Sequence, residues 1–436
     1  MHGVPRSRHE LYSKKIIISL SLFLFFITGV SLSSQTLNNY LEVAAENNPG
    51  LKSKFYSYQA SLEKIPQVGG LPDPELSFGY FIKPMERYVG NQVAEISLMQ
   101  MFPWFGTLGS AEDEAALIAK AKYEEFNDTK SQLFFDVKKV WYELYLLEKE
   151  IKITEENIEI LETLEQIANS RLASGEANQS SVKMAGKNPT MVDVLRAEIE
   201  INELKNKLAL LLDKKVPLKV RFNNLLNRTK DEFINIPDTI IISNSSIQLA
   251  ELADSVQQNN PVIKKLRNEE KAFIAKEEMN IKNSYPKIGL GLKYSIFESR
   301  AGVQSMMNGN NMIMPMASIS IPIWRGKYNS AIDESRIRQN EISARRNDTK
   351  NMLTENYEIA LKDLRDAERR IELYSDQTKL VNQALDLLIV QYSTTGSQFE
   401  EVLRLQQQYL DYKLKRLQAK VDQKISVAMI DRLIGR

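Results

Sequence analysis

The sequence predicts an α+β membrane protein in which long α-helical coiled-coil hairpins join four strands of transmembrane length, laid out as an internal duplication. Three observations carry that prediction. Trp104-Phe105-Gly106 recurs as Trp324-Arg325-Gly326, displaced by 220 residues. The segment after each copy spaces its apolar residues alternately by four and three, the 3.5-residue period of a coiled coil. Each copy is preceded by two short runs in which apolar and polar residues alternate, the period of a strand with two unlike faces.

The chain opens on Arg6, Arg8, Lys14 and Lys15, followed by an apolar run from Ile16 to Val30 and small residues as far as Ser34. That order predicts a secretory signal peptide over residues 1–34. The competing reading, a single membrane anchor, asks a span of about 15 apolar residues that fall short of one. The 436 residues contain no cysteine and two histidines, His2 and His9, both upstream of the apolar run. A mature chain without thiol or imidazole has no disulfide scaffold, no Ser-His-Asp chemistry and almost no zinc chemistry. We therefore expect no catalytic residue, no cofactor and no enzyme. Basic and acidic residues number 57 and 56, a net charge of +1, so nothing draws the chain to nucleic acid. A mean hydropathy of −0.33 rules out a polytopic helical membrane protein.

After the leader, the pattern divides into a first repeat at 35–226, a polar linker at 227–246 and a second repeat at 247–436. Each repeat begins with a helical stretch, 37–65 containing Asn48-Pro49 and 247–281 containing Asn260-Pro261. Strands follow. Leu76, Phe78, Tyr80 and Ile82 alternate with polar or small residues, and Ala94, Ile96 and Leu98 oppose Glu95 and Ser97. In the second repeat Ile288, Leu290, Leu292, Tyr294 and Ile296 alternate, and their partner has Ala317, Ile319, Ile321 and Ile323 on one face. Runs of about nine to eleven residues have the length of a transmembrane strand.

The long helices come next. Leu133, Val137, Val140, Leu144, Leu147, Ile151, Ile158, Leu161, Ala168 and Leu172 mark the first track. Leu353, Tyr357, Ala360, Leu364, Ala367, Ile371, Tyr374, Val381, Leu385, Leu388 and Tyr392 mark the second. Thr154, Glu165 and Thr378 interrupt them. Gly175 and Gly396 supply the left-handed residue that ends a helix, and return helices begin around Val192 and Glu401. From Gly106 to Gly175 is about 69 residues, or roughly 100 Å of helix. Four strands cannot close on themselves, and an open edge in lipid leaves backbone unsatisfied. Several chains must therefore share one barrel, with a helical tube continuing from it.

Taken together, the leader, the doubled layout, the Pro103-Trp-Phe-Gly106 and Pro322-Ile-Trp-Arg-Gly326 junctions and the Gly-turn-Val-Leu-Arg returns resemble the TolC outer membrane efflux family. The resemblance implies a homotrimer, with a twelve-stranded barrel in outer-membrane lipid and a helical tunnel reaching into the periplasm. It also implies docking, through a periplasmic adaptor (a membrane fusion protein), onto an inner-membrane efflux transporter of the resistance-nodulation-division type. The duct itself is passive. The competing class is a secreted coiled-coil structural or adhesive protein without a pore.

Matching Val402-Leu403 to the family pattern puts gate positions at Glu401, with Glu400 beside it, and at Arg404 where the family carries an acid. That departure leaves three readings open: an acidic ring, an ion-pair latch between Glu401 and Arg404, or a solvated helix face with no part in a gate. The first-repeat equivalents are Asp193 and Arg196, and the turns at Gly175 and Gly396 would contact the adaptor. Met306, Met307, Met312, Met314 and Met316 fall within eleven residues, and Met184 and Met191 flank the first turn. Thioethers are soft ligands for copper(I) or silver(I), and this pattern looks like a copper/silver branch of the family. The alternative is that methionine fills irregular apolar contacts.

Overall fold

A proline in the first turn of a helix gives up no needed amide, and an asparagine before it can accept from the amides left free. Each half of the chain has one helix that starts this way, at Asn48-Pro49 and at Asn260-Pro261. The structure, a computed structural model, describes residues 36–173, 191–239, 256–302, 304, 306–395 and 398–435. Helix α1 (Leu37–Asn47) yields at Asn48 to α2 (Pro49–Leu62), and α3 (Lys64–Gly69) follows, so the expected helix 37–65 is three pieces. The Asn48 side chain accepts from the Leu51 amide and donates to the Leu225 carbonyl, each at 3.0 Å. In the second repeat, Asn260 accepts from the Val262 amide at 2.9 Å and donates to the Leu433 carbonyl at 3.0 Å. Each asparagine thus pins the start of one helix to the last turn of another, 173 to 177 residues away in sequence.

Strands β1 (Glu75–Arg87) and β2 (Gly90–Phe102) precede α4 (Thr107–Ala173) and its return α5 (Met191–Leu225). Helix α6 (Pro261–Asn283) leads to β3 (Lys287–Glu298), β4 (Met312–Ser320), α7 (Arg325–Thr395) and α8 (Phe399–Leu433). Residues 240–255, where the second leading helix was expected to begin, lie outside the described residues. The four strands form one antiparallel sheet in the order β1-β2-β3-β4, so its central ladder joins the two repeats and its two edges are open. Beyond expectation, β1 continues past Pro84, where a missing amide goes with a register shift between Tyr80 and Met85. The last strand runs earlier than expected, ending before Pro322, so that Ile321 and Ile323 leave the sheet and stand exposed.

Register gives the sheet two unlike faces. Leu76, Phe78 and Tyr80 pair with Leu98, Ile96 and Ala94; these continue into Leu292, Tyr294 and Ile296, and then into Pro315 and Ile313. That face is apolar from edge to edge and largely exposed. Just beyond the strands, Trp104 stacks on Tyr285 at 5.2 Å, and Phe105 and Trp324 stand exposed. Such a band of aromatic side chains suits a membrane–water boundary. Among the described residues no helix is long and apolar enough to cross a membrane.

Helices α4 and α7 have 67 and 71 residues, roughly 100 Å each at 1.5 Å per residue. Helix α4 packs against α5 and α8, and α8 against α7, so the side-by-side order is α5-α4-α8-α7. The expected tracks face inward: Val137, Val140, Ala168, Tyr357, Ala367 and Tyr392 are almost wholly buried. Thr154 and Thr378 fit these tracks because their hydroxyls donate one turn back, to the carbonyls of Glu150 and Tyr374.

Across the two repeats the helices are also tied by charge. Glu125 on α4 meets Lys54 of α2 at 2.6 Å, Lys122 at 3.0 Å and Lys265 of α6 at 3.7 Å. The hydrogen bond from Lys54, helped by Lys122 and Lys265 against the opposing effect of burial, holds this carboxyl down at about 2. A carboxyl depressed in the fold stabilises it above the unfolded value near 4.5, and that share is lost as pH falls towards 2. With solvent screening discounted at this partly exposed group, we expect urea unfolding to show about 2 kcal/mol of stability vanishing over that acid window, and Glu125→Gln to lack that portion of the pH dependence.

Candidate functional site

The end of the helical rod is built from the first turns of α5 and α8, packed by one apolar cluster to which all four long helices contribute. Leu161, Ala168, Val194, Ala197, Tyr392, Phe399 and Val402 lie in it. The residues singled out as a gate surround that plug. Arg196 of α5 reaches Glu400 of α8 at 2.5 Å, a bridge between the two repeats. Glu401 and Arg404 pair along α8, with the Arg404 Nε donating at 2.9 Å. The Arg404 hydrogen bond lowers the Glu401 carboxyl, and Glu401 in turn raises the guanidinium. One turn further on, Gln407 donates to Glu200, again linking α8 to α5.

Asp193 occupies the first turn of α5, where an acid suits the helix dipole. Gly175, Gly396, Met184 and residues 180–189 lie outside the described residues. The left-handed residue that starts α8 is Gln398, at φ 72°, two positions after Gly396. Its carbonyl accepts from the amides of Glu401 and Val402, both at 3.1 Å, which fixes where the Glu401–Arg404 pair stands.

The second cluster of interest is the polar face of the sheet. Ser77 and Ser97 share a hydrogen bond of 2.7 Å, and Lys293 meets Glu95 at 2.5 Å. Gln92 donates to Glu95 at 3.1 Å and to Ser295 at 3.4 Å. Opposite these, Met312, Met314 and Met316 fall in register with Ser295, Lys293 and Gly291, so all three point to the polar face. Met306 and Met307 do not. They sit in the turn beyond β3, exposed, at the end where the two hairpins are joined by the Gly309 amide on the Val89 carbonyl and by Arg300 on Glu86. Sequence reasoning missed Met99 and Met101 of β2, which share this face with the β4 methionines.

Residues 252–436 match the profile of the family described as outer membrane efflux protein. No curated protein is similar to the chain. Among solved structures, the outer membrane protein VceC from Vibrio cholerae superposes with a TM-score of 0.73 at 15% identity, covering 92% of this chain and 96% of VceC. The outer-membrane channel OprN gives 0.72 at 15% identity over 92% of this chain and 89% of its own. The open state of the MtrE outer membrane channel from Neisseria gonorrhoeae gives 0.70 at 15% identity over 92% and 88%. At such identities the likeness is one of fold, and it runs through both halves of the chain. The family expected from residue order and spacing is the one whose profile residues 252–436 match.

Proposed function

We propose that the chain is one protomer of a passive export duct, a trimer whose pooled strands form a barrel in an outer membrane and whose helices form a tunnel in the periplasm. The observation that carries this reading is that the sheet and the helical layer are each left unfinished at both sides. The sheet is open along β1 and β4. The helical layer is open along α5 and α7, and there the chain exposes apolar residues at coiled-coil spacing. Met352, Ile359, Leu373, Leu380 and Leu387 recur on α7 in steps of seven, interrupted at Asp366, and all five are exposed. Helix α5 offers Val192, Leu195, Ile199 and Val216, also exposed. A heptad stripe without a partner helix calls for one, and an unpaired strand edge in lipid calls for a strand. Rotating one copy beside the next brings α7 to α5 and β4 to β1 together.

Three copies would then give twelve strands, with the apolar face outward to lipid and the polar face inward. The paired tips around Glu400, Glu401, Arg404 and Arg196 become the narrow end, and the turns that hold Gly175 and Gly396 the surface for a periplasmic adaptor. The adaptor would couple the duct to an inner-membrane transporter. The repeated Asn-Pro caps and the shared element order support descent of the two repeats from one unit. Purified protein added to a planar lipid bilayer is expected to produce stepwise ionic conductance from trimers. A stable monomer that dissolves without detergent and conducts nothing would instead favour the secreted coiled-coil protein without a pore.

A further inference from the structure

On the polar face of β3, two successive positions are glycine, Gly289 and Gly291. Across them the register runs Met101–Gly289–Ser318 and Met99–Gly291–Met316, from β2 over β3 to β4. With no side chain on the middle strand, the thioethers of β2 lean over it. A β-carbon on Gly289 would stand 2.7 Å from Met101 Sδ and 3.2 Å from Met99 Sδ and would overlap Ser318 Oγ. The Ser318 hydroxyl lies 3.8 Å from Met99 Sδ and 3.9 Å from Met101 Sδ. Two sulfurs and a hydroxyl therefore converge above one backbone position.

Packing does not account for these methionines. A thioether used as filler belongs among apolar neighbours, whereas this face carries the Ser77–Ser97 pair and the Glu95–Lys293 ion pair. The two thioethers are neutral and soft, which favours a soft monovalent cation, and one hydroxyl oxygen is far short of the six or more oxygens a hard divalent one takes. Of the acids on this sheet face, Glu95 is held by Lys293 at 2.5 Å, and Glu75 lies on the far side of Met99, on the edge strand β1 away from Gly289. Among the described residues no group of histidine, cysteine, aspartate and glutamate could hold a metal ion elsewhere.

We propose that Met99 and Met101, with Ser318, form a transit site for a soft monovalent cation, silver(I) or copper(I), on the inner wall of the barrel, and that Met316, Met314 and Met312 continue the path along β4. The proposal rests on the duct reading, because only in a barrel does the polar face become a lumen. Two neutral sulfurs without a thiolate bind loosely enough to release, as a conducting wall requires. The order of the β4 methionines runs from the cradle towards the hairpin turn that carries Met306 and Met307.

The test is equilibrium dialysis of the purified full-length protein in detergent against silver(I), in a medium free of chloride and thiols. The wild-type protein is expected to retain silver with an affinity that does not change between about pH 5.5 and 7.5, since thioethers do not titrate there. Replacing both thioethers, Met99→Leu with Met101→Leu, is expected to weaken retention about tenfold or more, while Met306→Leu with Met307→Leu leaves it unchanged. Gly289→Ala should weaken it too, because the added methyl occupies the point of convergence while every ligand remains. Only side-chain ends must move to admit it. Equal silver retention by all variants overturns the proposal, as does a loss that follows Met306 and Met307 instead. Bilayer conductance of the same preparations separates this from failure of the duct reading: a silver-deficient variant that still conducts leaves the duct intact, and a wild-type protein that holds silver but never conducts removes the lumen.

Discussion

A chain carrying Leu373→Glu and Leu380→Glu is expected to fold and to remain a monomer. Both leucines are exposed on α7 in the lone chain, so the helix itself loses nothing by the change. Against α5 of a neighbouring copy, however, each glutamate would enter a seam that its charge cannot leave cheaply. Burial forgone amounts to roughly 1.5–3 kcal/mol for each leucine, repeated at every seam of the proposed trimer. Sedimentation in detergent reads the result, with far-ultraviolet circular dichroism confirming that helicity is kept. Trimers of undiminished mass would show that this stripe faces something other than a second copy. Changing Leu353 or Leu364, on the buried side of the same helix, should instead unfold the rod, since both sit in the core between α6, α7 and α8.

Loosening the tip is the change with the next largest expected effect. With Arg196→Ala and Arg404→Ala together, the bridge to Glu400 and the pair with Glu401 both disappear, leaving two carboxylates per protomer without their cations. In the proposed trimer these would repel one another around its axis. We expect the open probability in planar bilayers to rise about twofold or more at low salt, with the gain shrinking near 1 M salt as the charges are screened. Unchanged traces at both salt concentrations would mean that the apolar plug of Tyr392, Phe399 and Val402 holds the tip shut without help from charge.

Periodicity made the long helices and the sheet legible, because burial of one face imposes it on every turn and every pleat. The track from Leu133 to Ala168 and its counterpart from Leu353 to Tyr392 were readable for that reason. The Glu401–Arg404 pair was readable because its partners are three residues apart on one helix. Contacts between distant segments were not. Nothing local to Arg196 says that Glu400 stands beside it, or that Lys54 and Lys265 converge on Glu125. The cradle of Met99 and Met101 escaped notice for a related reason. Its meaning depends on a register with Gly289 and Ser318, which only pairing between strands from opposite halves creates.

That central pairing has a consequence for how the polypeptide is held together. The ladder between β2 and β3, the contact of α4 with α6 and that of α4 with α8 all join residues from either side of the interval 227–246. None of these joins runs through the interval itself. A scission there would sever the backbone and leave the protomer clasped by its own non-covalent seams, so two separately synthesised fragments carry between them all the information needed to find each other and rebuild it.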